Sequence, residues 1–193
     1  MRRLGVVFLA IVAGIALTAA AARDKLEKKA TYRGRLFIGS GPTTQGVLTV
    51  LITIDHLSTN EELAELMPHM AAGDTNGLFD KAEAFKAGTL QYLGTSGLRI
   101  DFNLAFEKKT ETGRQIFLVA ENQSADPFSS LKLLSEVQFK RGLFLVVALD
   151  LNEKDQGEGR IYQEARIKFS MGGEFELVSY RTTPLLVVNL RRQ

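Results

Sequence analysis

The stretch from Gly97 to Glu121 constrains the fold most, because it predicts two strands and the turn between them. Its first half has apolar side chains at every second position: Leu98, Ile100, Phe102, Leu104 and Phe106. Successive side chains of a strand point to opposite faces, so one face of this half would be apolar and the other polar. After the polar run 108–113, the alternation resumes with Ile116, Leu118 and Ala120. We therefore predict a β-hairpin that buries one face.

Other segments with strand-like patterns are spread along the chain: 31–38, 46–56, 89–93, 138–151, 160–169, 174–180 and 185–190. In 138–151, Leu145, Val147 and Leu149 alternate with Phe144 and Val146, so both faces are apolar. The segment 46–56 is also apolar on both sides, which is typical of a strand that is covered on each face. The pattern predicts a mainly β fold of about eight antiparallel strands that form a barrel or a sandwich.

A helical insert interrupts the strands after the second one. The run 58–62 contains two overlapping capping boxes, and it is followed by apolar residues at helical spacing: Leu63, Leu66, Met67 and Met70. Pro68 lies within this stripe, and we expect it to kink or end the helix near Met67. A second helical pattern continues to Gly88, a candidate helix cap. We predict a helical hairpin at about 58–88, between the second and third strands, that covers the second strand.

The amino-terminal segment predicts export. Arg2 and Arg3 precede an apolar run at 4–17, and Ala20 and Ala22 satisfy the small-residue rule for cleavage after Ala22. The alternative is an uncleaved anchor, because 4–22 approaches the ~20 residues that span a bilayer. We predict a signal peptide at 1–22, a charged linker at 23–30 and a single β-rich domain at 31–193. The expected location is the periplasm or the outside of the cell.

Charge and cysteine content exclude several classes of function. The chain has 24 Lys and Arg against 22 Asp and Glu, and the two excess arginines belong to the predicted signal peptide. The processed chain would be formally neutral, so we expect no nucleic-acid partner. Cysteine is absent, which removes disulfides, thiolate metal ligands and a thiol nucleophile. No second apolar run reaches the length of a transmembrane span.

Two patterns are weak candidates for metal binding. His56 and His69, with a carboxylate such as Asp55, could hold zinc, but they follow no H-E-x-x-H spacing and a third histidine is absent. The run 73–83 resembles a calcium loop, yet its first position would be Ala72, which offers no carboxylate. The chain also has no G-x-S-x-G motif, phosphate-binding loop or dinucleotide fingerprint. The sequence therefore assigns no catalytic residue, metal or cofactor.

Short motifs along the mature chain resemble those of a family of small, signal-bearing exported bacterial proteins for which no activity is established. They are T-Y-R-G-R-L from Thr31, L-I-T-I-D from Leu51, G-T-L-Q-Y-L-G from Gly88, G-R-Q-I-F-L-V from Gly113 and G-E-G before Arg160. The chain departs from the family after Val119, where 120–123 replaces a proline-bearing turn. The resemblance implies export and one compact domain, and it transfers no functional residue.

Three functions are compatible with these features. The leading hypothesis is a non-enzymatic exported β-domain that binds an apolar small molecule or lipid, because the two-sided apolar strands could line a cavity. The alternative is a structural or assembly module that binds a protein partner in the cell envelope through strand edges or the helical hairpin. A third, weaker hypothesis is a metal-dependent hydrolase built around His56.

Overall fold

The computed structural model describes residues 29–38, 46–94, 99–121, 143–180 and 183–193. The predicted signal peptide with Ala20 and Ala22, most of the linker 23–30, Leu98 and the segment 138–142 lie outside these ranges. The strands and helices, in chain order, are β1 (Ala30–Ile38), β2 (Gly46–Ile54), α1 (Asn60–Ala72), α2 (Thr75–Ala82), β3 (Gly88–Leu93), β4 (Arg99–Phe102), β5 (Leu104–Thr110), β6 (Gly113–Glu121), β7 (Phe144–Asn152), β8 (Gln156–Phe169), β9 (Phe175–Tyr180) and β10 (Leu185–Arg192).

The ten strands form one antiparallel sheet with the order β4-β3-β2-β1-β10-β8-β7-β6-β5, and β9 pairs with the later part of β8. The sheet is not closed, and it folds over on itself in a sandwich-like arrangement. The two helices follow β2. The structure confirms the predicted mainly β fold with a helical insert between the second and third strands.

The two strands at the ends of this order are neighbours in the chain. Only Asn103 separates β4 from β5, and its backbone N–H donates to the carbonyl of Val119 on β6 at 2.9 Å. The chain therefore passes from the first strand of this order to the last strand within one residue. The sheet must curve for this to happen, so its inner face encloses a common interior.

The inner faces of nine strands bury one apolar cluster, which we call the interior core. Phe102 of β4 and Leu145 of β7 both belong to it, although they come from opposite halves of the sheet. Its largest members are Tyr32, Leu36, Val50, Ile52, Ile54, Leu90, Tyr92, Phe102, Ile116, Leu118, Leu145, Val147, Leu149, Leu151, Ile161, Val187 and Leu190.

A second cluster, the helix-covered core, lies on the outer face of β5 to β8. Leu63 and Leu66 of α1 and Phe79 of α2 pack there with side chains of the sheet: Leu104, Phe106, Phe117, Val119, Phe144, Val146, Ala165, Ile167 and Phe169. Aromatic rings are close in this layer, with ring centroids of Phe117 and Phe175 4.5 Å apart. The second core explains why β6 and β7 are apolar on both faces.

The prediction that the helices cover the second strand is wrong. Ser58, just before α1, donates its N–H to the carbonyl of Ala105 and accepts the N–H of Ala105 on its hydroxyl, at 2.8 and 3.0 Å. These bonds fix the start of α1 beside β5, which is six strands away from β2 in the sheet order. The outer face of β2 is left partly exposed, and Val47 retains 51% of its accessible surface.

Irregularities in two strands move side chains from one core to the other. Phe102 faces the interior core, whereas Leu104 and Phe106 beyond Asn103 face the helix-covered core, so the predicted single apolar face is divided. In β8, Glu164 has a φ of 52° where the β7–β8 register shifts. Ile161 before it is in the interior core, and Ile167 after it is in the helix-covered core. Each irregularity reverses the facing of the residues that follow, as a bulge does.

Helix α1 begins as predicted but ends later. Thr59 is the N-cap, and a reciprocal capping box joins it to Glu62. Pro68 does not end the helix, which continues to Ala72 and is capped by Gly73 at a φ of 66°. Proline cannot donate to the carbonyl of Ala64, but both residues are exposed, so water can bind that carbonyl. Gly88, the expected cap of the second helix, is instead the first residue of β3.

Gly34 allows β1 and β10 to approach closely, and replacing it tests the packing of the interior core. A Cβ at this position would lie 2.7 Å from Val187 Cγ1 and 2.9 Å from Leu190 Cδ2. We expect Gly34→Ala to lower the free energy of unfolding by about 1–3 kcal/mol, because the added carbon overpacks the core. Urea unfolding followed by circular dichroism measures this change. Gly172→Ala is the control, since its added Cβ would have one neighbour within 4 Å, at 3.7 Å, and equal losses for the two variants would contradict the account.

Candidate functional site

A group of charged and polar side chains closes one end of the interior core. We call it the Arg114 network, and its members come from five different strands or turns: Tyr32, Glu107, Arg114, Asp155 and Arg192. Tyr32 lies near the start of β1, opposite Arg192 at the end of β10. The antiparallel order brings these strand ends together although their residues are far apart in the chain.

Arg114 is the centre of the network, and its side chain is only 14% exposed. Its Nη2 donates to Asp155 Oδ1 at 2.5 Å and to the hydroxyl of Tyr32 at 3.0 Å, and its Nη1 donates to Glu107 Oε1 at 3.4 Å. The second carboxylate oxygen of Asp155 accepts from Arg192 Nη1 at 2.9 Å. Asp155 adopts a φ of 56° in the β7–β8 turn, a left-handed conformation that Asp tolerates better than most residues.

The charge balance of this network indicates that it stabilises the fold. Two guanidinium groups face two carboxylates, so the formal charges cancel, and each of the four groups has an opposite charge within 3.4 Å. Burial raises the pKa of the Tyr32 phenol, and the positive charge of Arg114 acts in the opposite direction. A neutral Tyr32 that accepts a hydrogen bond from Arg114 is the form that the site stabilises.

The other end of the interior core is lined by half-buried apolar side chains. Leu48 and Leu185 pack against the core without being fully buried, and we call them the apolar rim. They lie near the starts of β2 and β10, which run in the same direction because β1 alone separates them. At 3.3 Å for each residue, Leu185 is about 23 Å from Arg192 along β10, and Leu48 is about 13 Å from Ile52, the residue opposite Tyr32. Two further half-buried side chains pack on this core elsewhere: Leu57 precedes α1, and Ile100 is level with Tyr32, because the register runs from Tyr32 through Ile52 and Leu90 to Ile100.

The structure does not bring the candidate metal ligands together. His56 lies before α1 and bonds to Glu62 at 3.0 Å, whereas His69 in the last turn of α1 bonds to Asp74 at 2.9 Å. A helix of 13 residues spans about 20 Å, so the two imidazoles cannot share an ion. Asp55 pairs with Lys29 at 3.0 Å. Within the described ranges, no group of three or more His, Asp or Glu side chains is arranged to hold a metal.

The residues of the calcium-loop pattern serve the connection between the helices. Asp74 is the N-cap of α2, where its Oδ1 accepts the N–H of Gly77 at 3.0 Å. This bond and the contact with His69 lower the pKa of the Asp74 carboxyl. The Asp74 side chain therefore caps a helix rather than facing a common centre with Asp80 and Glu83, the other carboxylates of the run 73–83.

Sequence reasoning did not identify the Arg114 network. Tyr32 and Arg192 are 160 residues apart in the sequence, and no motif spacing links them to Arg114. The signals in the sequence were Arg114, directly after a glycine at the hairpin, and Asp155, in a glycine-bearing turn. Both residues are ordinary there, and only the strand order makes them neighbours.

Comparisons with known proteins found no family model, curated protein or solved structure that matches this chain. The resemblance to small exported bacterial proteins therefore stays a prediction. In the part of the chain that the structure describes, neither helix has the length and apolar character needed to cross a membrane.

Removing Arg114 tests whether the network supports the fold. We expect Arg114→Ala to lower the free energy of unfolding by about 3 kcal/mol, because Glu107 and Asp155 would lose their shared partner in a largely buried site. The control is Arg99→Ala, since Arg99 also pairs with an aspartate, at 2.6 Å, but both side chains are more than half exposed. That change should cost under about 1 kcal/mol. Denaturant unfolding compares the two variants, and a smaller loss for Arg114→Ala than for Arg99→Ala would refute the role.

Tyr32 gives a prediction for alkaline pH. Because its pKa is raised in the folded state above the ordinary value of 10.0, the folded chain holds the phenolic proton more tightly than the unfolded chain. The free energy of unfolding should therefore fall as the pH rises above 10. Tyr32→Phe should make this decline shallower, and Tyr162, whose pKa burial also raises, accounts for part of what remains.

Unfolding midpoints measured between pH 8 and about 11 test this. Tyr180→Phe is the matched control, because Tyr180 is 49% exposed. The account fails if Tyr32→Phe leaves the alkaline slope unchanged, or if Tyr180→Phe flattens it as much.

Proposed function

We propose that this protein is a non-enzymatic exported β-domain that binds an apolar small molecule or a lipid chain at the apolar rim. The observation that carries the proposal is the asymmetry of the interior core. One end is closed by the paired charges of the Arg114 network, whereas the other has half-buried Leu48 and Leu185.

The interior offers a ligand contacts that are almost entirely apolar. Burial of apolar surface contributes roughly 25 cal/mol for each Å² and requires no directional partner. Displacing water from the rim side chains would therefore favour an acyl chain or a flat apolar molecule. Ligand sites in sheets that curve round a core commonly lie at the mouth of the structure.

Polar groups are placed where they do not compete with such a ligand. The Arg114 network is at the far end, and its hydrogen bonds join its own members. In this proposal, the Arg114 network stabilises the fold. Export is supported by the amino-terminal pattern of Arg2, Arg3, an apolar run and the small residues Ala20 and Ala22.

Adjacent leucines on β10 provide a matched test. Leu185 packs against the interior core, and Leu186 is exposed on the outer face. A fluorescent fatty acid titrated into the protein should bind at one site per chain. Leu185→Gln should weaken this binding about ten- to a hundredfold, because an amide replaces apolar contact at the rim. Leu186→Gln should leave it unchanged.

Both variants must first show the circular dichroism spectrum and the unfolding midpoint of a folded chain. If Leu185→Val, which keeps the apolar surface, binds like the parent while Leu185→Gln does not, the effect belongs to the rim. Equal binding by the two glutamine variants would contradict the proposal, and so would failure of the parent chain to bind the probe.

A second candidate, an assembly module for a protein partner, is favoured by one edge of the sheet. Within the described residues β9 pairs only with β8, so one side of its backbone has no strand beside it. Val178 and Tyr180 are 45% and 49% exposed on this strand. Such an edge can add a strand from another chain. Crosslinking through a photoreactive residue at Val178 in the producing cell would trap a partner, and an uncrosslinked monomer would count against this role.

A further inference from the structure

Three arginines lie on the outer face of β1 and β10, away from both cores. Arg33, Arg35 and Arg191 are all exposed, and Arg33 is directly opposite Arg191 in the β1–β10 ladder. Side chains of directly opposite residues have Cβ atoms about 5 Å apart on the same face. Arg35 follows Arg33 by two residues, about 7 Å along the strand. We call this group the arginine face.

The arginine face carries positive charge that the described part of the chain does not neutralise. Arg99, Arg114, Arg160 and Arg192 each pair with a carboxylate, whereas these three arginines form no ion pair with another described residue. Like charges directly opposite one another destabilise a sheet. An anionic partner would relieve this repulsion, so the arrangement is suited to a surface that carries several negative charges.

Apolar side chains extend the arginine face toward the rim end of the sheet. Phe37 follows Arg35 on the same face of β1, is paired in register with Val47, and is near Leu186 by continuation of the β1–β10 register. These three side chains are 41%, 51% and 38% exposed. The face therefore has an apolar tip, with arginines about 7 and 14 Å behind it along β1.

We propose that the arginine face and its apolar tip dock on the surface of a membrane that contains anionic lipids. The three arginines would meet lipid phosphates, while Phe37, Val47 and Leu186 enter the boundary with the acyl chains. Juxtamembrane Lys and Arg residues and interfacial aromatic residues act in this way in peripheral proteins. A nucleic acid or another soluble polyanion would pair with the arginines, but the side chains of the apolar tip would then remain exposed to water.

The docking proposal is independent of ligand binding in the interior, since it concerns the outer face of the sheet. The two are spatially compatible, because Phe37 and the apolar rim lie toward the same end of the strands. Binding of the fluorescent fatty acid is measured without membranes, so either proposal can fail while the other holds.

Sedimentation with lipid vesicles tests the proposal. The full chain is purified as the producing cell leaves it and mixed with vesicles of phosphatidylcholine, with or without about one-third phosphatidylglycerol. The test variant replaces Arg33, Arg35 and Arg191 with Gln. The charge-matched control replaces Lys81, Lys108 and Lys109 with Gln, because these exposed lysines lie on α2 and β5, and β5 is several strands from β1 and β10 in the sheet order. All the proteins share the same amino terminus, so the difference between variants reports on the arginine face.

The parent chain should bind the anionic vesicles more tightly than the neutral ones, and added salt should weaken this binding. We expect the arginine variant to lose about fivefold in affinity for each arginine, about a hundredfold in total, and the lysine control to lose less than threefold. Phe37→Ser should weaken binding without changing its salt dependence.

Three outcomes would overturn the proposal. They are equal binding to both kinds of vesicle, equal losses in the arginine and lysine variants, and arginine-dependent binding to heparin with no binding to vesicles. The last outcome would assign the face to a soluble polyanion.

Discussion

The passage of the chain through Asn103 is the constraint on which both cores depend. At this residue the strand that ends one side of the sheet becomes the strand that ends the other, and the N–H of Asn103 bonds to Val119 in the next strand. The sheet must curve to bring its ends within one residue, and the curve encloses the interior core. The same residue turns Leu104 and Phe106 outward. The outer face of β5 to β8 then needs a cover of its own, which α1, α2 and β9 provide.

The two ends of the interior core differ in their chemistry. At one end, the paired charges of the Arg114 network satisfy the polar groups that strand ends bring together, and Tyr32 passes from the core into that network. At the other end, the core finishes in the half-buried leucine side chains of the apolar rim. A fold arranged in this way has a polar base and an apolar mouth. This polarity underlies the proposed binding of an apolar molecule, and the arginine face underlies the proposed docking on a membrane.

Patterns confined to one regular element predicted the structure well. In β7, Leu145, Val147 and Leu149 face the interior core while Phe144 and Val146 face the helices, as the two-residue period indicates. The capping box at Thr59 and Glu62 located the start of α1 for the same reason, since its hydrogen bonds are local. The mainly β class with a helical insert followed from these elements.

Features set by distant contacts could not be predicted in this way. In the sequence, Asn103 between β4 and β5 and Glu164 at the bulge of β8 look like ordinary polar positions, yet each reverses the facing of the residues after it. The placement of the helices over β5 depends on Ser58 and Ala105, which are 47 residues apart. Pro68 is tolerated because of exposure that only the packed helix defines. The Arg114 network and the arginine face likewise require the strand order, which residue spacing does not contain.

Native mass spectrometry of the protein purified from its own host tests the central claim, a domain whose apolar mouth holds an apolar molecule. We expect a population heavier than the bare chain by one lipid or similar apolar molecule, which is released on activation in the gas phase. A single species with the mass of the bare chain, obtained in buffers that keep lipids bound to known lipid-binding proteins, would contradict it.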